Sequence, residues 1–278
     1  MYITNDPQIA TIAEKFGVDR IFVDFEYIRK DLRQGGMNTV QNHHTTDDIK
    51  LIKNVVNSAE ILVRVNPIHD ASAEYTSSET EIQEAIAAGA QIIMLPYFKT
   101  PLEVKRFLSA VNGRAKTMLL FETREAVENI HEILRLEGID EVFIGLNDLS
   151  ISYDYEFMFK PLATNLVEDI INQFKEYNIP YGFGGIAALG KGLLPSEKII
   201  AEHYRMGSSS VILSRSFCNT ENAPIKDVEN IFAKGIKQIR DYEAFCCDQQ
   251  MEFFNENQSA VKAAVSEICK QLQAKHQK

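Results

Sequence analysis

The chain has 278 residues, 45% of them hydrophobic, which is enough apolar material for one large core or two small ones. Its 29 Lys and Arg against 39 Asp and Glu leave a formal charge of −10 with no basic cluster to offset it, so nucleic acid is not an expected partner. No apolar run reaches the roughly 18 to 20 residues that span a bilayer, the opening stretch carries Asp6 instead of a basic-then-apolar leader, and Cys218, Cys246, Cys247 and Cys269 lack C-x-x-C spacing; a cytoplasmic protein with reduced thiols and no membrane partner is expected.

In chain order, short runs rich in Val, Ile, Leu and Phe predict strands at 1–4, 20–25, 60–65, 91–95, 117–122, 141–146, 180–184 and 209–214. Amphipathic segments lie between them at 7–16, 46–58, 80–88, 101–111, 124–137, 163–177 and 196–206, several closing on a glycine suited to a helix end. Eight strand-then-helix units predict a single (β/α)8 TIM barrel over 1–220, because no early strand opens into the G-x-G-x-x-G loop of a doubly wound sheet. Residues 221–278 are read as a C-terminal helical extension. It comprises the last barrel helix, at 225–243, and a surplus helix at 260–275, joined by a polar linker at 248–259. The surplus helix is expected to pack on the barrel or on another subunit, and a homo-oligomer is expected.

In a barrel of this kind chemistry sits at the C-terminal ends of the strands. Asp24 and Glu26 end the second predicted strand, Arg64 and Asn66 the third, Glu122 the fifth, Asn147 and Asp148 the sixth, and Ser214 and Arg215 the eighth. Glu122 and Asp148 are 26 residues apart, one β/α unit, which sets them at like heights on neighbouring strands. Two such carboxylates repel unless a cation lies between them or one is protonated. A divalent metal is the economical answer, with Mg²⁺ first and Mn²⁺ or Co²⁺ as alternatives. Solvated loop acids or helix caps are the plainer reading. Arg64 is either an ion-pair partner of Asp24 or Glu26, or a fork that holds a carboxylate substrate beside the metal. The combination favours a 2-oxo acid. The Gly-rich run 182–192 is either a tight turn or, with Lys191 and Arg215, a phosphate cradle.

Five stretches carry a resemblance: Phe-Val-Asp-Phe-Glu (22–26), Val-Arg-Val-Asn (63–66), Ala-Ala-Gly-Ala-Gln-Ile-Ile-Met-Leu-Pro (87–96), Phe-Glu-Thr-Arg-Glu-Ala (121–126) and Phe-Ile-Gly-Leu-Asn-Asp-Leu-Ser (143–150). In order and spacing they resemble the HpcH/HpaI aldolase and citrate lyase family of the phosphoenolpyruvate/pyruvate-binding TIM barrels. The resemblance implies a metal-dependent carbon–carbon lyase of the class II aldolase type, acting through a pyruvate-like enolate on a 2-oxo acid and an aldehyde. By position it implies that Glu122 and Asp148 ligate the metal and that Arg64 steadies the enolate. The amides of Asn147 and Asp148 would bind the substrate carboxylate, and Asp24 and Glu26 would orient metal-bound waters. An acyl-thioester lyase and a non-catalytic metal-binding barrel are the alternatives.

Two positions depart from the family pattern. Tyr27 stands where its aldolases have a His and its citrate-lyase-like members an Asp, and Leu120 stands where the aldolases have Gln. The missing proton carrier is sought in Tyr27 itself, assisted by Arg29, or in His43, His44 or His69.

Overall fold

The computed structural model describes residues 1–28, 44–220 and 223–276. In it the eight apolar runs form parallel strands that close in chain order into a barrel. The strands are β1 (Tyr2–Ile3), β2 (Arg20–Asp24), β3 (Glu60–Arg64), β4 (Ile92–Leu95), β5 (Lys116–Phe121), β6 (Glu141–Ile144), β7 (Tyr181–Ile186) and β8 (Ser210–Leu213). The first helices are α1 (Pro7–Lys15), α2 (Thr46–Lys53), α3 (Ser78–Ala88), α4 (Pro101–Val111), α5 (Arg124–Glu128) and α6 (Ile130–Leu134). They are followed by α7 (Leu146–Ser152), α8 (Lys160–Ala163), α9 (Leu166–Glu176), α10 (Ser196–Met206), α11 (Ile225–Cys247) and α12 (Met251–His276). Among the described residues no helix is long and apolar enough to cross a membrane.

Side-chain alternation along the strands separates two cores. Phe22, Leu62, Ile92, Met94, Met118, Leu120 and Phe143 form one cluster that fills the barrel interior. Their neighbours in sequence, such as Val23, Ile61, Val63 and Leu119, join the larger cluster beneath the helices. The inward register carries on upward: Asp24 lies two residues beyond Phe22, Arg64 beyond Leu62 and Glu122 beyond Leu120. At the opposite end the interior is sealed by charge. Arg20 donates to both carboxylate oxygens of Glu141 at 2.7 Å and to Glu60 at 3.1 Å, and Lys116 reaches Glu60 at 2.6 Å.

Several predicted boundaries move for local reasons. The helix expected over 46–58 stops at Lys53, because the amides of Asn57, Ser58 and Ala59 turn to the Glu14 carboxylate, at 2.8, 2.6 and 2.8 Å. The segment 124–137 divides at Asn129, whose side-chain amide donates to the Lys99 carbonyl. The sixth strand ends at Ile144, with Gly145 capping α7, so Asn147 and Asp148 occupy the first turn of a helix instead of a strand end. The stretch 248–259 is no linker, since α12 starts at Met251. Its polar residues face two neighbouring helices: Asn257 donates to the Lys198 carbonyl and to Glu202 on α10, and Gln258 to Glu168 on α9. Val261, Val265 and Cys269 are buried where α12 packs on α10 and α8.

His203 on α10 lies flat against Phe183 of β7, with ring centroids 3.7 Å apart, and pairs through Nδ1 with the Ser208 hydroxyl at 2.8 Å. Burial lowers its pKa to about 3. An unfolded His titrates near 6.5, so below that pH the unfolded chain takes a proton that the folded chain refuses. Stability should therefore fall as pH drops from about 6.5 towards about 3, by up to about 1.4 kcal/mol per unit from this residue. Urea unfolding of His203→Gln across that range should show a correspondingly flatter slope; parallel slopes would mean that the native ring is charged or wet.

Candidate active site

A cavity of about 760 Å³ opens at the C-terminal ends of the strands. Asp24, Arg64, Glu122 and Asp148 line one side of it, delivered by β2, β3, β5 and the β6–α7 turn. Asp24 and Arg64 are direct partners in the β2–β3 register, which brings their side chains together. The guanidinium Nε and Nη2 each donate to Asp24 at 2.8 Å, and Nη1 lies 3.2 Å from Glu26 Oε2. Burial acts to lower the Arg64 pKa, but the charges of Asp24, Glu26 and Glu122 outweigh it and hold it well above the ordinary value. The Nε/Nη2 edge is thus taken by Asp24, and a substrate carboxylate has only the outer edge of the guanidinium to use.

Glu122 is 3% exposed and accepts from the Tyr97 amide at 2.9 Å. Tyr97 adopts a left-handed φ of 49°, a conformation that costs a non-glycine residue about 1 to 3 kcal/mol. Just past the neighbouring strand a Cβ at Gly145 would stand 2.6 Å from Glu122 Oε2, so the glycine makes room for the carboxylate. Asp148 is 8% exposed, and its Oδ1 accepts from the Asn147 side-chain amide at 3.2 Å. Asn147 and Arg215 also line the cavity, and Leu120 and Phe143 form its apolar floor.

The HpcH/HpaI aldolase/citrate lyase model matches residues 2–158, more than half of the chain. The chain belongs to the HpcH/HpaI aldolase/citrate lyase family. A hydroxypyruvate/pyruvate aldolase of Sagittula stellata is 28% identical over 144 residues, covering 41% of this chain and 56% of that protein. A 2-keto-3-deoxy-L-rhamnonate aldolase of Escherichia coli is 32% identical over 85 residues, 30% of this chain and 32% of the relative. The chain thus spans about half and about a third of the lengths of these two relatives. The crystal structure of an HpcH/HpaI aldolase from Desulfitobacterium hafniense superposes with a TM-score of 0.56 at 18% identity, covering 86% of this chain and 91% of that one.

Within this member of the HpcH/HpaI family the expected residues fall into four groups. Arg64, Glu122, Asn147, Asp148, Arg215 and His44 come together around the cavity. Asp24 and Glu26, expected to orient metal-bound waters, clasp Arg64, the ion pair that is the plainer reading of that arginine, and Asp24 of the two lines the cavity. Tyr27 stands outside the lining and is 39% exposed, its amide donating to Asn66 at 3.0 Å. Burial, then the charges of Glu81, Tyr75 and Glu74, raise its pKa. His69 is tied into its own loop by Pro67, Thr76 and Ser78, and Lys191 lies off the lining. His43 and Arg29 lie outside the described residues.

In the Gly-rich run, Gly184 has φ +58° and a Cβ there would stand 2.8 Å from Leu146, so the backbone conformation and the close approach account for the glycine. Nothing in the residue pattern marks the far wall of the cavity, where Thr4, Asn5 and Gln8 after β1 meet Asn219 and Thr220 after β8.

Proposed function

We propose that the protein is a divalent-metal-dependent carbon–carbon lyase that forms or cleaves an aldol bond through the enolate of a 2-oxo acid. The observation that carries this is the gathering of Glu122, Asp148 and Arg64 from separate elements around one cavity at the C-terminal face. Two buried carboxylates are hard oxygen donors of the kind Mg²⁺ and Mn²⁺ take. Among the described residues no group of three or more His, Cys, Asp or Glu side chains is placed to hold a metal. Glu122 and Asp148, both buried at the cavity, would hold the ion, with water and substrate as its remaining ligands. The chemistry such an ion supplies is Lewis acidity towards the enolate oxygen.

The chain's own groups supply the rest. Arg64, fixed by Asp24, offers its remaining N–H groups to the enolate and carboxylate oxygens, and the amides at the start of α7 face the carboxylate. Leu120 and Phe143 keep water from beneath the enolate. Strand β1 stands opposite β5 in the closed barrel, so the polar residues Thr4, Asn5, Gln8, Asn219 and Thr220 line the side of the mouth away from Glu122. That wall suits a hydroxylated aldehyde, and Arg215 beside it suits an acidic substituent. The four free cysteines fit a reducing compartment, and we read the enzyme as cytoplasmic.

The test is calorimetry with pyruvate, with and without Mg²⁺ or Mn²⁺, alongside aldol cleavage monitored through pyruvate release. Binding should require the metal and vanish with a chelator. Traces flat in both metal and pyruvate, with no turnover of any hydroxylated 2-oxo acid, would end the proposal.

A further inference from the structure

We infer that Asn66 and Glu81 are a positioning pair for this site: together they fix the turn that carries Glu26, and through Glu26 they set the angle at which Arg64 meets its substrate. The inference rests on the aldol reading above and deepens it, giving a task to two residues that lie off the cavity lining.

Asn66 follows Arg64 by two residues and is wholly buried, yet both polar atoms of its side chain are engaged. Its Oδ1 accepts from the Tyr27 and Ile28 amides at 3.0 and 2.9 Å, and its Nδ2 donates to Glu81 Oε2 at 2.7 Å. Its own backbone N–H donates to Glu81 Oε1, also at 2.7 Å. This orientation of the amide is forced, because two backbone N–H groups need an acceptor and a carboxylate needs donors. Pro67 restricts the preceding Asn66 backbone to extended conformations, which keeps the side chain on this bearing. Glu81 stands in the first turn of α3, so the pair ties that helix to the chain leaving β2.

The turn matters because of what it holds. Asp24 and Arg64 are register partners at the ends of β2 and β3, and one further backbone bond runs from the Phe25 N–H to the Arg64 carbonyl at 2.9 Å. Glu26 comes next and is bracketed. On one side its N–H reaches the Asp24 carboxylate at 3.2 Å, and on the other the Asn66 oxygen takes the two amides that follow. The Glu26 side chain is wholly buried with Oε2 3.2 Å from Arg64 Nη1, whereas Asp24 takes Nε and Nη2. Two acids on one stretch of chain thus grip the guanidinium at different edges, and the tilt of its plane follows their spacing. A strand sets Asp24; the turn, and so Asn66, sets Glu26. A fork tilted by a change at the turn would keep its bond to Asp24 and lose its aim at the substrate.

Reversing the pair tests the assignment. In Asn66→Asp the oxygen towards Tyr27 and Ile28 remains, but a second carboxylate faces Glu81 where a donor stood, and the two repel. In Glu81→Gln one of the two Asn66 donors is left facing an amide N–H. Each single variant should lower kcat/KM by about ten- to a hundredfold, the scale on which misplacing a substrate-holding group by about 1 Å or less acts. The double variant Asn66→Asp/Glu81→Gln exchanges donor and acceptor at unchanged net charge, and should recover most of the loss. The Arg64 Nε–H signal of ¹⁵N-arginine protein free of metal and substrate, assigned through Arg64→Lys, should shift in both singles and return in the double.

Singles that lose thermal stability while kcat/KM and the Arg64 signal keep their wild-type values would make the pair a staple of the fold and overturn the inference. So would a double variant that regains stability without regaining either. If Asn66→Asp does not fold, Glu81→Gln, a change at a half-buried position, and the double variant decide alone. A wild type without aldol turnover sinks the aldolase reading, whereas an Arg64 signal indifferent to the pair sinks the positioning role, with or without turnover.

Discussion

Glu122→Gln and Asp148→Asn should each abolish metal-dependent pyruvate binding and lower kcat/KM by at least about a hundredfold, the scale of losing a charge-stabilising group at the reacting centre. Both replacements are isosteric, and the amide oxygen introduced by Glu122→Gln can still accept from the Tyr97 N–H that Glu122 now uses. The fold should hold. Asp24, Glu26 and Glu122 crowd acidic charge around the Arg64 guanidinium, with Asp148 on the same cavity, so neutralising one acid should leave the thermal midpoint of the metal-free protein unchanged or higher. Saturating Mg²⁺ should raise the wild-type midpoint and leave those of the variants unmoved, because only a state that binds the ion is stabilised by it. A steric counterpart tests the same carboxylate from outside. The Cβ of Gly145→Ala would stand 2.6 Å from Glu122 Oε2, so metal affinity should fall with an overpacking penalty of about 1 to 3 kcal/mol. Wild-type metal affinity in all three variants would place the ion elsewhere.

Arg64→Ala should be the most destabilising of these changes, at about 3 to 5 kcal/mol, because it strands buried acids. Asp24 and Glu26 are both wholly buried, and Arg64 lies against each. Asp24→Ala should cost less. Arg64 would keep Glu26 at 3.2 Å and the attraction of Glu122, whereas removing Arg64 takes from Asp24 the cation that holds both its oxygens. The double variant should be less unstable than the sum of the singles, since the two form one unit. Arg64→Lys should retain part of the stability but little activity, because an ammonium cannot grip Asp24 at two points and still present N–H groups at a fixed angle. Chemical denaturation and kcat/KM of these four proteins check the ordering. Equal losses for Arg64→Ala and Asp24→Ala would show that the pair stands alone, without Glu26.

The barrel and most of this site were legible because one alternation governs both. Asp24, Arg64 and Glu122 continue the inward rows of Phe22, Leu62 and Leu120, so reading the strands also read the acids and the guanidinium. Asp148 was found through spacing although the strand there ends early, since the first turn of α7 keeps it at the same rim. What could not be read depends on contacts between distant segments. The commitment of the Arg64 fork to Asp24 follows from β2–β3 register, and the reason for Gly145 follows from Glu122 on the neighbouring strand. His44 looks like any loop histidine until the Asp24 amide meets its ring. The polar stretch ahead of Ser259 reads as a linker because its hydrogen bonds go to residues some sixty to ninety positions away.

Among the described residues, the seal of Arg20, Glu60, Lys116 and Glu141 beneath the apolar plug leaves the candidate site no path through the barrel to the opposite end. In an enzyme of the proposed kind, whatever lies deepest is trapped behind whatever lies nearer the threshold. If the oxo acid rests on Leu120 and Phe143 with the aldehyde above it, the aldehyde must depart before the oxo acid can, and in the synthetic direction the oxo acid must enter first.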